Sequence, residues 1–139
     1  MVPTDFSPGS DHVIQYAAMI AKMFKARILL VHVIEPFTYS VTDMLNVLDH
    51  FAALKIIAHP LLDNARKKLL KKGLAVETAL LTGAPYREIL QKSRRAKVDM
   101  IVMGTHGRTG VEHLLLGSVA EKVVRLAGCP VLTVRSSKK

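Results

Sequence analysis

Tryptophan is absent from the 139 residues, and three tyrosines with four phenylalanines make up the whole aromatic complement. Proteins that hold single-stranded nucleic acid stack its bases on aromatic rings, so this scarcity argues against nucleic acid as a partner. The single cysteine, Cys129, stands between Gly128 and Pro130. Alone it cannot close an internal disulfide, and it reads as a small buried side chain at a helix-to-strand turn. No apolar run reaches the roughly 18 residues a membrane-spanning helix needs, so no membrane partner is expected. The start also lacks the basic-then-apolar pattern of a secretory signal, and a soluble, cytoplasmic protein is the expectation. Acidic residues are scarce as well, with 11 Asp and Glu against 20 Lys and Arg and a formal charge of +9. No acidic pair, catalytic triad or cysteine-rich cluster stands out. His50 and His59 are nine positions apart, not the four that would place both on one helix face for a metal ion.

Half of the chain is apolar, enough for one domain with a real core over residues 1–139. Ser7-Pro8 reads as an N-cap followed by proline at the first helical position, opening a helix to about Lys25 with Val13, Ala17, Ile20, Ala21 and Phe24 inward. Arg27 to Ile34 is short and rich in β-branched residues, a strand. By strand alternation His32 faces away from Val33 and reads as structural. Apolar residues from Met44 to Leu69 form a long helical stripe that would cover the sheet, with Pro60 as a kink and Gly73 as the stop. A third strand over Leu74 to Leu81, a helix from Gly83-Ala84-Pro85 to about Ala96, a fourth strand from Val98 to Met103 and a last strand over Val131 to Val134 complete the pattern. Strands that alternate with helices imply parallel pairing and right-handed crossovers. The basic clusters around Arg66 to Lys72 and Arg87 to Lys97 end helices, where cations offset the helix dipole.

The stretch VDMIVMGTHGRTGVEHLLLGSVAEKVVRLAG, Val98 to Gly128, organises the chain. It reads strand, glycine loop, helix. Gly104, Gly107 and Gly110 allow positive φ and leave backbone N–H groups bare to a ligand. Ten residues after Gly107 come Gly117 and Ser118, and Ser118-Val119-Ala120-Glu121 has the form of a capping box with Ser118 as N-cap. The free N–H groups and dipole of that helix start suit phosphate. A Walker A loop would need a lysine that is missing beside Gly107 and Gly117, and the G-x-G-x-x-G spacing of dinucleotide folds is also absent.

Gly104-x2-Gly107-x9-Gly117-Ser118 resembles the nucleotide-binding signature of the ATP-binding branch of the universal stress proteins. Val2-Pro3-Thr4-Asp5-Phe6-Ser7 is similar to the family's first loop, although only two residues precede Pro3 to make a strand. The resemblance implies an open five-stranded parallel sheet of order 3-2-1-4-5 with helices on both faces, Rossmann-like and akin to the adenine nucleotide alpha hydrolases. It also implies that Asp5, with Pro3 and Thr4, contacts adenine and ribose, that Val33 packs on the base with Met103 close by, and that the phosphates run from Gly104 to Gly107 toward Gly117, Ser118 and the N–H of Val119. Arg108 adds a cation, Thr105 and Thr109 add hydroxyls, and Mg2+ would accompany ATP with Asp5 as its nearest carboxylate. His106 and His113 are the only titratable bases in or beside the loop, and both read as exposed. The expected function is an ATP-dependent switch in stress response with at most slow hydrolysis. An ATPase or nucleotidyl transferase of the same fold and a nucleotide-free interaction module are the alternatives. The family further implies a homodimer through the last strand, Val131, Leu132, Thr133 and Val134.

Overall fold

Strands and helices alternate along the chain in a computed structural model, which describes residues 1–36, 44–107 and 116–135, with residues 44–50 described as backbone only. The elements are β1 (Val2–Pro3), α1 (Pro8–Met23), β2 (Ile28–Ile34), α2 (Met44–Leu70), β3 (Val76–Thr82), α3 (Pro85–Arg95), β4 (Ile101–Gly104), α4 (Ser118–Leu126) and β5 (Val131–Val134). Local chemistry accounts for most boundaries. The Ser7 side chain accepts the Ser10 N–H at the start of α1, and Pro8 follows at the position where a missing N–H costs nothing.

Three helices end in the same turn. At the close of α2 the Leu74 N–H reaches Leu69 O and the Gly73 N–H reaches Leu70 O, with Gly73 at φ +77. The same pair of bonds closes α1 through Ala26 and Lys25 and closes α3 through Val98 and Lys97. There, however, the left-handed position is held by lysine, at φ 51 and φ 48.

β2 pairs in parallel with β1 (Val2↔Leu30) and over seven residues with β3 (Ile28↔Val76 to Ile34↔Thr82). β4 pairs with β5 from Ile101↔Val131 to Gly104↔Val134. The expected single five-stranded sheet is thus two sheets, β1-β2-β3 and β4-β5. They abut at Met1, whose O accepts from the Val102 N–H at 2.9 Å and whose N donates to Met100 O at 2.7 Å. β1 has two residues, and one is a proline with no N–H, so no longer ladder to β4 forms.

Alternation along the strands divides the core. Leu30, Val76, Val102 and Val134 pack with Val13, Ala17, Leu62 and Leu69 beneath α1 and α2. Val31, Ile101 and Met103 pack with Ile89, Leu90, Ala120 and Val123 beneath α3 and α4. Several of these side chains are fully buried, each worth about 1.5–3 kcal/mol in transfer free energy. One expected core residue is not in it: Phe24 lies in the turn after α1 and is 73% exposed. Cys129 is half-buried, not fully enclosed.

Candidate functional site

The carboxyl ends of β1, β2 and β4 open into a cleft of about 550 Å³, bounded by the starts of α3 and α4 and by the flank of α2. In open α/β sheets this edge, where strand order reverses, is where ligands bind. Of the residues singled out in the sequence, the cleft collects Pro3, Thr4, Asp5, Val33, Met103, Gly104, Thr105, Gly107, Gly117, Ser118 and Val119. Arg108 lies outside the described residues, as do Thr109, Gly110 and His113. A hollow of about 570 Å³ on the outer side of α2, between Leu61 and Lys71, is lined by that helix and its terminal turn alone. With no strand end or loop converging on it, it lacks the features of a ligand site.

The glycines matter for space more than for torsion. Among the described glycines only Gly73 and Gly83 have positive φ, so the left-handed backbone expected at Gly104 and Gly107 is not found. Close approach explains them instead. A Cβ on Gly107 would lie 3.2 Å from Asp5 Oδ2, one on Gly117 3.3 Å from Thr105 O, and one on Gly104 3.1 Å from His106 O. The loop after β4 is therefore packed directly on the loop after β1.

Gly117, not Ser118, is the N-cap of α4, and no side chain caps the helix. The expected capping box does not form: Glu121 N–H donates to Gly117 O at 2.9 Å, and the Glu121 carboxylate pairs with Arg125 at 3.5 Å. Nor is the Gly117 N–H available, since it donates to Thr105 O at 2.7 Å. The donors that project ahead of α4 are those of Ser118, Val119 and Ala120, which precede the first intrahelical bond and line the cleft. Three such N–H groups at a helix start favour an anion.

On the opposite wall Asp5 is held by its own loop. Its Oδ1 accepts from Ser7 Oγ at 2.7 Å, from the Ser7 N–H at 3.0 Å and from Ser10 Oγ in a short contact. Burial pushes its pKa up, but the hydrogen bonds from Ser10 and Ser7 outweigh that and hold the carboxyl below its ordinary value. It is a carboxylate at neutral pH. His32 sits on the α1–α2 side, opposite Val33 along β2, and its Nδ1 lies 2.7 Å from Thr4 O. A carbonyl only accepts, so Nδ1 carries the hydrogen. The Phe6 ring packs on this imidazole with centroids 4.4 Å apart. Phe6 itself has φ 61, a conformation a bulky residue rarely adopts. Thr105 Oγ1 lies 3.0 Å from His106 Nδ1 on the rim.

Other lining residues were not singled out from the sequence. Leu54, Ile57, Ala58 and Leu61 of α2 form an apolar wall, and Pro85 and Ile89 of α3 lie near Val33 on the other side. The i, i+3, i+4, i+7 spacing of the α2 residues is legible in the chain, but it reads equally well as sheet-facing core. Ser10 and Ala120 carry no comparable signal. Among the described residues there is no group of three His, Cys, Asp or Glu side chains that could hold a metal ion by themselves. What the arrangement offers is apolar and aromatic walls at one end and helix N–H donors beside bare glycines at the other.

Comparison with known proteins finds relatives over the whole length of the chain. The chain is 37% identical over 145 residues to the universal stress protein MJ0531 of Methanocaldococcus jannaschii, covering all of this chain and 82% of that protein. Its fold superimposes on the solved structure of MJ0577 from the same organism with a TM-score of 0.89, at 28% identity and over 99% of this chain and 96% of that one. The universal stress protein of Archaeoglobus fulgidus in complex with dAMP has a TM-score of 0.68 at 24% identity, over 95% of this chain and 93% of its own, a likeness of fold. With the model of the Universal stress protein family matching residues 1–135, nearly the whole chain, this protein belongs to that family.

Proposed function

We propose that this protein binds an adenine nucleotide, ATP foremost, in the cleft at the ends of β1, β2 and β4, and acts as a cytoplasmic, nucleotide-dependent switch in stress response. The observation that carries the reading is the meeting of two walls across bare glycines: Asp5, Phe6 and Val33 on one side, and the uncapped start of α4 on the other. A base and ribose fit the first wall. The phosphates fit the N–H groups of Ser118, Val119 and Ala120, passing Gly104 and Gly107 where a side chain would fill the space. Arg108 would add charge to the phosphate end. The dAMP complex of the Archaeoglobus fulgidus relative supports an adenine nucleotide as ligand class.

Mg2+ would enter with the nucleotide, held chiefly by its phosphates, with Asp5 the carboxylate closest to the glycine loop and Glu35 a second carboxylate lining the cleft. Binding and release, with hydrolysis at most slow, would be the signal. Two copies would pair through Val131, Leu132, Thr133 and Val134 of β5, an edge strand with Leu132 37% exposed.

The test is acid release of nucleotide from freshly purified protein, identified by mass, together with calorimetric titration of ATP into wild type and Gly117→Val. The added side chain would crowd Thr105 O and the phosphate end of the cleft. Adenine nucleotide in wild type and binding weakened at least 100-fold in the variant is the expected result. A wild type that neither carries nor binds an adenine nucleotide rejects the proposal. A folded Gly117→Val that binds as wild type does would remove the phosphate assignment.

A further inference from the structure

Parallel strands with antiparallel helices send three helix ends to one edge of the molecule, the edge away from the cleft. After α1 that edge carries exposed Lys22, Lys25 and Arg27. At the end of α2 come Lys67, Lys68, Lys71 and Lys72, with Arg66 reaching Val76 O at the start of β3. The end of α3 adds Lys92, Arg94, Arg95 and Lys97. Three carboxylates face these twelve cations there: Asp63 beside Lys67, Glu77 beside Arg27, and Asp99 before β4. Each helix end presents about half a negative charge, so dipole compensation accounts for only a small part of this charge.

Two further observations narrow the partner. Lys25 and Lys97 occupy the left-handed position of their helix-ending turns, at φ 51 and φ 48, where α2 uses Gly73. Glycine fits that conformation without strain, so the chain gives up stability to hold a cation at this edge twice over. The edge is also not purely polar. Met23 is 78% and Phe24 73% exposed, the two most exposed of the large apolar side chains described, and they stand between Lys22 and Lys25. Leu70 projects from the same edge beside Lys71, at 40% exposure. A duplex phosphate backbone would be met by the cations alone and has no use for protruding Met and Phe. Cations around protruding apolar side chains match a layer of anionic headgroups over hydrocarbon.

We propose that this edge docks on an anionic lipid surface, with Met23 and Phe24 entering the headgroup layer and the lysines of the three helix ends resting on it. The cleft, at the opposite edge, then stays open to solvent. Docking of this kind requires no spanning segment. The inference is independent of what occupies the cleft.

The experiment is sedimentation of the full chain with vesicles of equal parts phosphatidylcholine and phosphatidylglycerol, against vesicles of phosphatidylcholine alone and against a duplex DNA. Expected is binding to the anionic vesicles that weakens with salt, with little on the neutral ones. Lys25→Gly with Lys97→Gly is expected to weaken it about 30-fold, roughly fivefold for each charge, while the melting temperature stays level or rises. Met23→Ser with Phe24→Ser should weaken vesicle binding while leaving the melting temperature level. The proposal fails if anionic and neutral vesicles are bound alike, if the protein binds the duplex and not the vesicles, or if both double variants bind anionic vesicles as wild type does.

Discussion

At Asp5, burial and hydrogen bonding act against each other, and the hydroxyls of Ser10 and Ser7 with the Ser7 N–H prevail. The carboxyl is therefore more acidic in the folded chain than in the unfolded one. A depressed carboxylate pKa stabilises the fold fully above the ordinary aspartate value of about 4, and the contribution is lost as pH falls through the lower folded value. Urea denaturation across that window should show wild type losing stability toward acid. Asp5→Asn should be less stable at neutral pH and flatter below about pH 4, and curves that run parallel would reject the assignment. The glycines were singled out by their spacing, whereas Asp5 was singled out only through the resemblance of its loop to the family's first loop, since an Asp before Phe6-Ser7 reads equally well as a turn residue. Phe6 was not singled out for the site: its left-handed backbone, which brings the ring onto His32, is set by the loop around it, where its N–H donates to Thr4 Oγ1 at 3.1 Å.

Among the elements, α1 and β5 match the sequence reading closely, since the Ser7 cap and the Cys129-Pro130 turn mark their starts in purely local terms. The start of α4 does not. Ser118-x-x-Glu121 has the composition of a capping box, yet the bond from Gly117 N–H to Thr105 O draws Gly117 into the cap position and carries Ser118 one step into the helix. That contact is made across a loop, which no local pattern reports. In α2 the helix runs unbroken through Pro60. Proline there has no N–H to give to the carbonyl of Ile56 and crowds it. Pro60 is exposed and belongs to neither core cluster. Pro60→Ala is expected to raise stability by about 1–3 kcal/mol, read as a higher urea midpoint with unchanged slope. A lower midpoint would mean that the proline shapes the helix for the apolar wall it lends the cleft.

For the molecule as a whole, alternation of strand and helix was enough to foresee parallel pairing, while the division into β1-β2-β3 and β4-β5 was not foreseen, because it depends on how many N–H groups a two-residue strand can offer a neighbour. The outer edge of β5 remains, with Leu132 37% exposed. If two copies pair there, Leu132→Pro should shift light scattering from dimer to monomer, and Leu132→Lys, which keeps the backbone donor, should do the same through an edge charge. Persistence of the dimer in both would place the contact elsewhere. The bond between Gly117 N–H and Thr105 O has a wider effect. It ties the residue after β4 directly to the cap of α4, so strand end and helix start move as one piece, and a ligand held by the N–H groups of α4 would stiffen the β4-β5 sheet as well.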